Sequence, residues 1–106
     1  MKRILSLVVA LAFVAALAVP AFAATKTVRV VDNKFRPATT SVRRGTTVKF
    51  VWAGKAPHNV TVVKGPVKFR SPTKTKGTYS KKLRRRGTYS IVCTIHSGMT
   101  LTLKVR

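Results

Sequence analysis

From residue 24 onward, apolar and polar residues alternate with a period of two. Val28 and Val30 share one face of Thr27-Val28-Arg29-Val30, and Val48, Phe50 and Trp52 share one face of the run 47–52. The same alternation groups His58, Val60 and Val62, then Tyr89, Ile91 and Cys93, then Met99, Leu101, Leu103 and Val105. In an extended chain, alternate side chains point to the same face, so each run predicts a half-buried β-strand. Val, Thr, Phe and Tyr recur in these runs, and branched or aromatic side chains suit a pleated surface. Gly45, Gly54, Gly65-Pro66, Pro72, Gly77, Gly87 and Gly98 interrupt at short intervals and mark turns. No window in this region has a helical period. Seven or eight short strands in 83 residues predict an all-β fold, a small antiparallel Greek-key β-sandwich, as one domain over residues 24–106. The outward positions carry Thr, Lys and Arg, as the solvent face of such a sheet does.

The first 23 residues follow a different rule. Lys2 and Arg3 give a positive start, residues 4–19 are apolar except Ser6, and Pro20 ends the run before Ala21-Phe22-Ala23. This order predicts a secretory signal peptide over residues 1–23, cleaved after Ala23. The competing reading is a retained membrane anchor, but the run of about 16 residues is shorter than the ~20 that span a bilayer. No Cys stands at the cleavage site to take a lipid, and Lys2-Arg3 is not a twin-arginine signal. The expected location is therefore outside the cytoplasm, periplasmic or secreted.

Composition narrows the chemistry. The 106 residues include 22 Lys and Arg, one acid (Asp32) and one Cys, for a formal net charge of +21. Without residues 1–23 the charge is +19. One carboxylate cannot supply both a general acid and a general base, nor an oxygen-rich calcium or magnesium site. One Cys cannot form a disulfide within the chain. The remaining chemistry belongs to Cys, His, Met, hydroxyls and backbone.

Cys93, His96 and Met99 form C-x2-H-x2-M, with His58 35 residues upstream of the Cys. Cys93 ends one predicted strand on its inward face, and Met99 begins the next on its inward face. The five residues between them make a tight turn containing His96. If the strand begun by His58 runs antiparallel to the Cys93 strand, all four side chains meet at one pole. One thiolate, two imidazoles and a thioether are the ligand set of blue copper: a His₂Cys plane with a weak axial Met. Sulfur ligands favour Cu(I) and imidazoles tolerate Cu(II), which suits a one-electron carrier. On this reading no acid is needed to position or balance the metal.

Here the sequence resembles the cupredoxins, the plastocyanin and amicyanin group of type 1 copper proteins. The resemblance spans nearly all of residues 24–106. It rests on Asn33-Lys34-Phe35-Arg36-Pro37, Gly45-x-x-Val48-x-Phe50, Pro57-His58-Asn59-Val60, Gly87-Thr88-Tyr89 and Cys93-Thr94-Ile95-His96-Ser97-Gly98-Met99. The two-residue gap between His96 and Met99 is similar to that of amicyanin-type members. The resemblance implies one copper ion held by His58 and His96 through Nδ1, by the Cys93 thiolate and by axial Met99. It implies that Asn59 ties its loop to the Cys93–Thr94 backbone, with Pro57 and Thr94 also beside the ligands. It implies an electron exit at the solvent edge of His96, within a patch of Ala56, Pro57, Ser97, Gly98 and Met99, with Gly54 nearby. Leu101 stands where relatives commonly have Gly, and the positive charge is unusual for the group.

Simpler readings exist for each residue taken alone. Met99 alone would be core filler, and Cys93 alone a small buried hydrophobe. Zinc is the next metal, but Met is a poor zinc ligand. Nucleophilic catalysis by Cys93 with His96 lacks an acid to orient the base, so no enzyme activity and no small-molecule substrate are expected. Arg84-Arg85-Arg86 follows Lys81-Lys82 and reads as a solvated hairpin turn or as a docking patch for an acidic redox protein. An anionic cell surface is a further partner. Nucleic acid is not, because no aromatics interleave with this run. The expected function is an exported blue-copper electron carrier. The alternatives are a copper-handling module without a redox partner and a cationic surface-binding sandwich.

Overall fold

The computed structural model describes residues 24–106, and the expected signal peptide lies outside these described residues. Eight strands follow one another: β1 (Thr25–Val31), β2 (Lys34–Arg36), β3 (Thr39–Val42), β4 (Thr46–Trp52), β5 (Thr61–Lys64), β6 (Gly77–Leu83), β7 (Gly87–Val92) and β8 (Thr100–Val105). They form two four-stranded sheets, ordered β2-β1-β4-β6 and β3-β8-β7-β5. No helix occurs among the described residues.

The expected all-β sandwich is present, and its pairing is mixed. Four strand pairs are antiparallel, while β1–β4 and β3–β8 are parallel. The parallel pairs arise because the chain changes sheets between them: β3 lies opposite β1 and β4, so β4 returns in the direction of β1. Alternation along each strand predicts burial but not the direction of its neighbour.

The inward faces fill the core as their period demands. Val28 and Val30, Val48, Phe50 and Trp52, Tyr89 and Ile91, and Leu101, Leu103 and Val105 are all buried. Full burial of each large apolar side chain is worth roughly 1.5–3 kcal/mol. Strand β6 was the least legible element, because only Leu83 of its seven residues is buried. It is an edge strand carrying Lys81 and Lys82, and edge lysines discourage pairing with another chain.

Register decides what meets at each end of the sandwich. Val92 of β7 pairs with Thr100 of β8 and with Thr61 of β5. Trp52 ends β4 opposite Gly77. The C-terminal end of β7, the start of β8 and the approach to β5 therefore share one pole. The turns before β4 and β7 and the end of β8 share the other.

Candidate metal centre

Cys93 directly follows β7, and Met99 directly precedes β8. The Cys93 N–H donates to the Met99 carbonyl at 3.1 Å, closing the turn that contains His96. Gly98 in this turn has a φ of 80°, a conformation that favours glycine. Cys93 and Met99 are buried, and His96 is half-buried.

His58 does not begin a strand; β5 starts at Thr61. Instead it forms an isolated antiparallel bridge with Lys74, with both backbone bonds at 3.0 Å. Its carbonyl also accepts from Trp52 Nε1–H at 3.0 Å. These contacts fix the backbone while the ring is fully buried.

The two imidazoles and the thiol converge. His58 Nδ1 lies 3.1 Å from His96 Nδ1 and 3.9 Å from Cys93 Sγ, and Cys93 Sγ lies 3.4 Å from His96 Nδ1. A point equidistant from these three atoms lies about 2.0 Å from each, which matches metal–imidazole bonds of ~2.0–2.1 Å. The triangle thus fits one metal ion. With Met99 adjoining it, the donor set is two borderline nitrogens and two soft sulfurs, which selects copper. His58, Cys93, His96 and Met99 are positioned as a type 1 copper site.

Asn59 binds three segments together. Its Oδ1 accepts from the Thr94 N–H at 3.1 Å and from Thr61 Oγ1–H at 2.8 Å. Its Nδ2 donates to Thr94 Oγ1 at 2.8 Å and Thr73 Oγ1 at 3.2 Å. Its backbone N–H points at Cys93 Sγ, 3.5 Å away. A donor aimed at the sulfur orients it beside the two imidazoles.

The one acid in the sequence is part of this centre, contrary to the reading that none is needed. Asp32 Oδ1 lies 2.9 Å from His58 Nε2. The carboxylate also accepts from the backbone N–H groups of Lys55 and Ala56 at 3.0–3.1 Å. The hydrogen bond with His58, then those with Ala56 and Lys55, lower the Asp32 pKa from 3.8 to about 2. Gly54 makes the approach possible, since a Cβ there would collide with the carboxylate. The sequence signal was available: Asp32 occupies the two-residue turn between β1 and β2. Nothing in the spacing of Asp32 and His58 reveals that β1 and β4 bring that turn to the metal pole.

Ala56 and Pro57 flank His58 at the surface, and Ser97 and Gly98 flank His96. Met99 is 1% exposed and belongs to the interior, not the patch. Ile95, not foreseen, is 51% exposed and one of two exposed large hydrophobics among the described residues. Arg84, Arg85 and Arg86 are not brought to this pole. They occupy the β6–β7 turn, about 20 Å away along β7 at ~3.3 Å per residue.

The family model for copper binding proteins of the plastocyanin/azurin family matches residues 23–106. Plastocyanin from Prochlorothrix hollandica is 38% identical over 108 residues, covering 90% of this chain and 82% of that protein. An oxidised single-residue mutant of amicyanin has a TM-score of 0.67 at 28% identity, covering 80% of this chain and 90% of its own. A copper-containing nitrite reductase from Thermus scotoductus SA-01 has a TM-score of 0.68 at 27% identity. It covers 84% of this chain, which spans only 23% of that larger protein. The donor triangle, the strand order and these matches agree, and the chain belongs to the plastocyanin/azurin family of copper-binding proteins.

Proposed function

We propose that residues 24–106 are an exported blue-copper carrier that passes single electrons between redox proteins, with residues 1–23 as its cleaved signal peptide. The observation that carries this reading is the His58–Cys93–His96 triangle, with His58 and Cys93 buried and His96 half-buried. Copper held there supplies one-electron chemistry by alternating between Cu(II) and Cu(I). The protein's part is to hold the donors still. Cys93 and Met99 are fixed by the two ends of one closed turn, and His58 by its bridge to Lys74. A donor frame that does not move keeps the reorganisation small when charge changes.

His96 is the exit because it alone of the four is half-buried, within the patch of Ala56, Pro57, Ile95, Ser97 and Gly98. An apolar patch on a chain of charge +19 suits brief docking with an acidic partner, whose approach the charge steers. Both imidazoles and the thiol are turned toward one shared point as metal donors, which supports a carrier over an enzyme.

The test is to add Cu(II) to purified residues 24–106 and record the visible spectrum and a redox titration. An intense thiolate-to-copper band with reversible one-electron reduction is expected. Absence of the band would end this reading. A blue protein with very slow electron exchange would point to copper handling instead.

A further inference from the structure

The whole sequence has one carboxylate side chain against 22 cationic ones, and it rests on a buried ligand histidine. We propose that Asp32 is the positioning residue of the copper centre, fixing the His58 tautomer and lowering the reduction potential through the His58 ring. This rests on the copper reading above and deepens it. The argument is geometric. His58 is fully buried, and its Nε2 has Asp32 Oδ1 as its partner at 2.9 Å. A carboxylate only accepts, so the Nε2 carries the hydrogen and Nδ1 presents its lone pair to Cys93 and His96. The carboxylate is itself held by two backbone N–H groups, and Gly54 leaves room for it. A carboxylate behind a ligand imidazole makes the other nitrogen a stronger donor. A stronger donor and a nearby negative charge both favour Cu(II) over Cu(I).

Asp32→Asn keeps an acceptor for Nε2–H and removes the charge. Its ratio of Cu(II) to Cu(I) affinity is expected to fall about tenfold, on the scale of other outer-shell partners. That corresponds to a rise in potential of about 59 mV for one electron. Nitrogen-15 NMR of the copper-free wild-type protein at mildly alkaline pH gives a second readout, with His58 expected in the Nε2–H form. If the wild type takes up copper without a blue band, the copper reading itself fails. If the wild type is blue and Asp32→Asn has the same potential, this inference alone fails. An Nδ1–H tautomer at His58 in the apo protein would also overturn it, whether or not the variant folds.

A separate observation concerns the opposite pole. Arg43, Arg44, Arg86 and Arg106 line an open cleft of about 390 Å³. They come from the turns before β4 and β7 and from the end of β8. Backbone bonds pin these segments: Arg44 N–H to the Arg106 carbonyl at 2.7 Å, Arg106 N–H to Val42 at 2.9 Å, and Gly45 N–H to Leu83 at 2.6 Å. The exposed guanidiniums therefore stand on a fixed frame. Asp32, the one acidic side chain, lies at the other end, so no carboxylate side chain balances the positive charge of the cleft. Guanidinium forks match the oxygens of a phosphate bidentately. We infer that this cleft binds a phosphate group, so that a molecule anchored by it presents its metal pole away from the anchor.

Titration with pyrophosphate at fixed ionic strength, followed by amide NMR, tests this. Shifts are expected at residues 42–46, 84–88 and 105–106. Arg44→Lys with Arg106→Lys preserves charge but removes the forks, and should weaken binding about fivefold or more. Lys34→Gln with Lys55→Gln removes two charges at the metal end and should leave binding nearly unchanged. Shifts spread over every basic face, or equal binding by the double Lys variant, would overturn the inference. Vesicles of phosphatidylglycerol against phosphatidylcholine separate the sources. Binding to the first that the double Lys variant loses assigns the phosphate to a lipid headgroup, and pyrophosphate binding alone assigns it to a soluble phosphate.

Discussion

Asn59 and Thr94 are joined twice: the Thr94 N–H donates to Asn59 Oδ1 at 3.1 Å, and Asn59 Nδ2 donates to Thr94 Oγ1 at 2.8 Å. This reciprocal pair clamps the segment carrying His58 to the segment carrying Cys93. Asn59→Ala removes the four side-chain hydrogen bonds of a buried amide, and stability of the apo protein should fall by about 2–3 kcal/mol. Chemical denaturation of the two apo proteins measures it. A loss under 0.5 kcal/mol would show that the clamp is redundant.

The four ligands should divide by role. Cys93→Ala should abolish the blue band, since no other thiol exists in the chain. Met99→Leu conserves the buried volume, so the fold should survive at a cost below about 1.5 kcal/mol. Colour should persist with a higher potential, because the soft axial donor is lost. A Cys93→Ala protein that stays blue would overturn the ligand assignment.

Gly54→Ala should move Asp32 off His58, because the added Cβ meets the carboxylate. The potential is then expected to rise, in the same direction as for Asp32→Asn. Voltammetry on the two variants side by side checks this, and an unchanged potential would mean that the turn gives way without releasing the carboxylate.

Alkaline pH should destabilise the apo protein. Burial pushes the Tyr89 phenol above its usual 10.0, with the Arg85 charge pulling the other way, and burial also raises Tyr79. Between pH 10 and the raised values the unfolded chain has released these protons while the folded chain holds them. Stability is therefore complete below about pH 10 and falls as pH rises further. Tyr89→Phe should flatten this fall. At neutral pH it should cost about 1 kcal/mol, through loss of the 2.8 Å bond from Tyr89 Oη–H to the Arg85 carbonyl.

Charge should govern the rate of electron exchange. With a charge of +19 on residues 24–106, oxidation by a small anionic complex should slow as salt is raised, and oxidation by a cationic one should quicken. Stopped-flow rates across ionic strength check both. Equal salt dependence for the two reagents would show that the region around His96 is screened from the remaining charge.

Much of the sandwich was legible because burial and period coincide. Val48, Phe50 and Trp52 alternate in sequence and in depth. Cys93, His96 and Met99 were legible because one turn holds all three. Three things were not. The parallel pairing of β1 with β4 depends on which sheet β3 joins, and no local residue encodes that. His58 left its expected strand because its backbone pairs with Lys74, a contact across 16 residues. Asp32 reached His58 through sheet register and the missing side chain of Gly54, so its role is a tertiary fact written in two distant turns.

The bond from Cys93 N–H to the Met99 carbonyl closes a loop whose two ends are also the ends of paired strands. Three of the four ligands thus ride on one cassette, and the sandwich beneath it has no stake in how many residues the cassette contains. Residues could be inserted or removed between His96 and Met99 without disturbing the core. The redox properties of such a protein can therefore change by loop length alone, while the scaffold stays as it is.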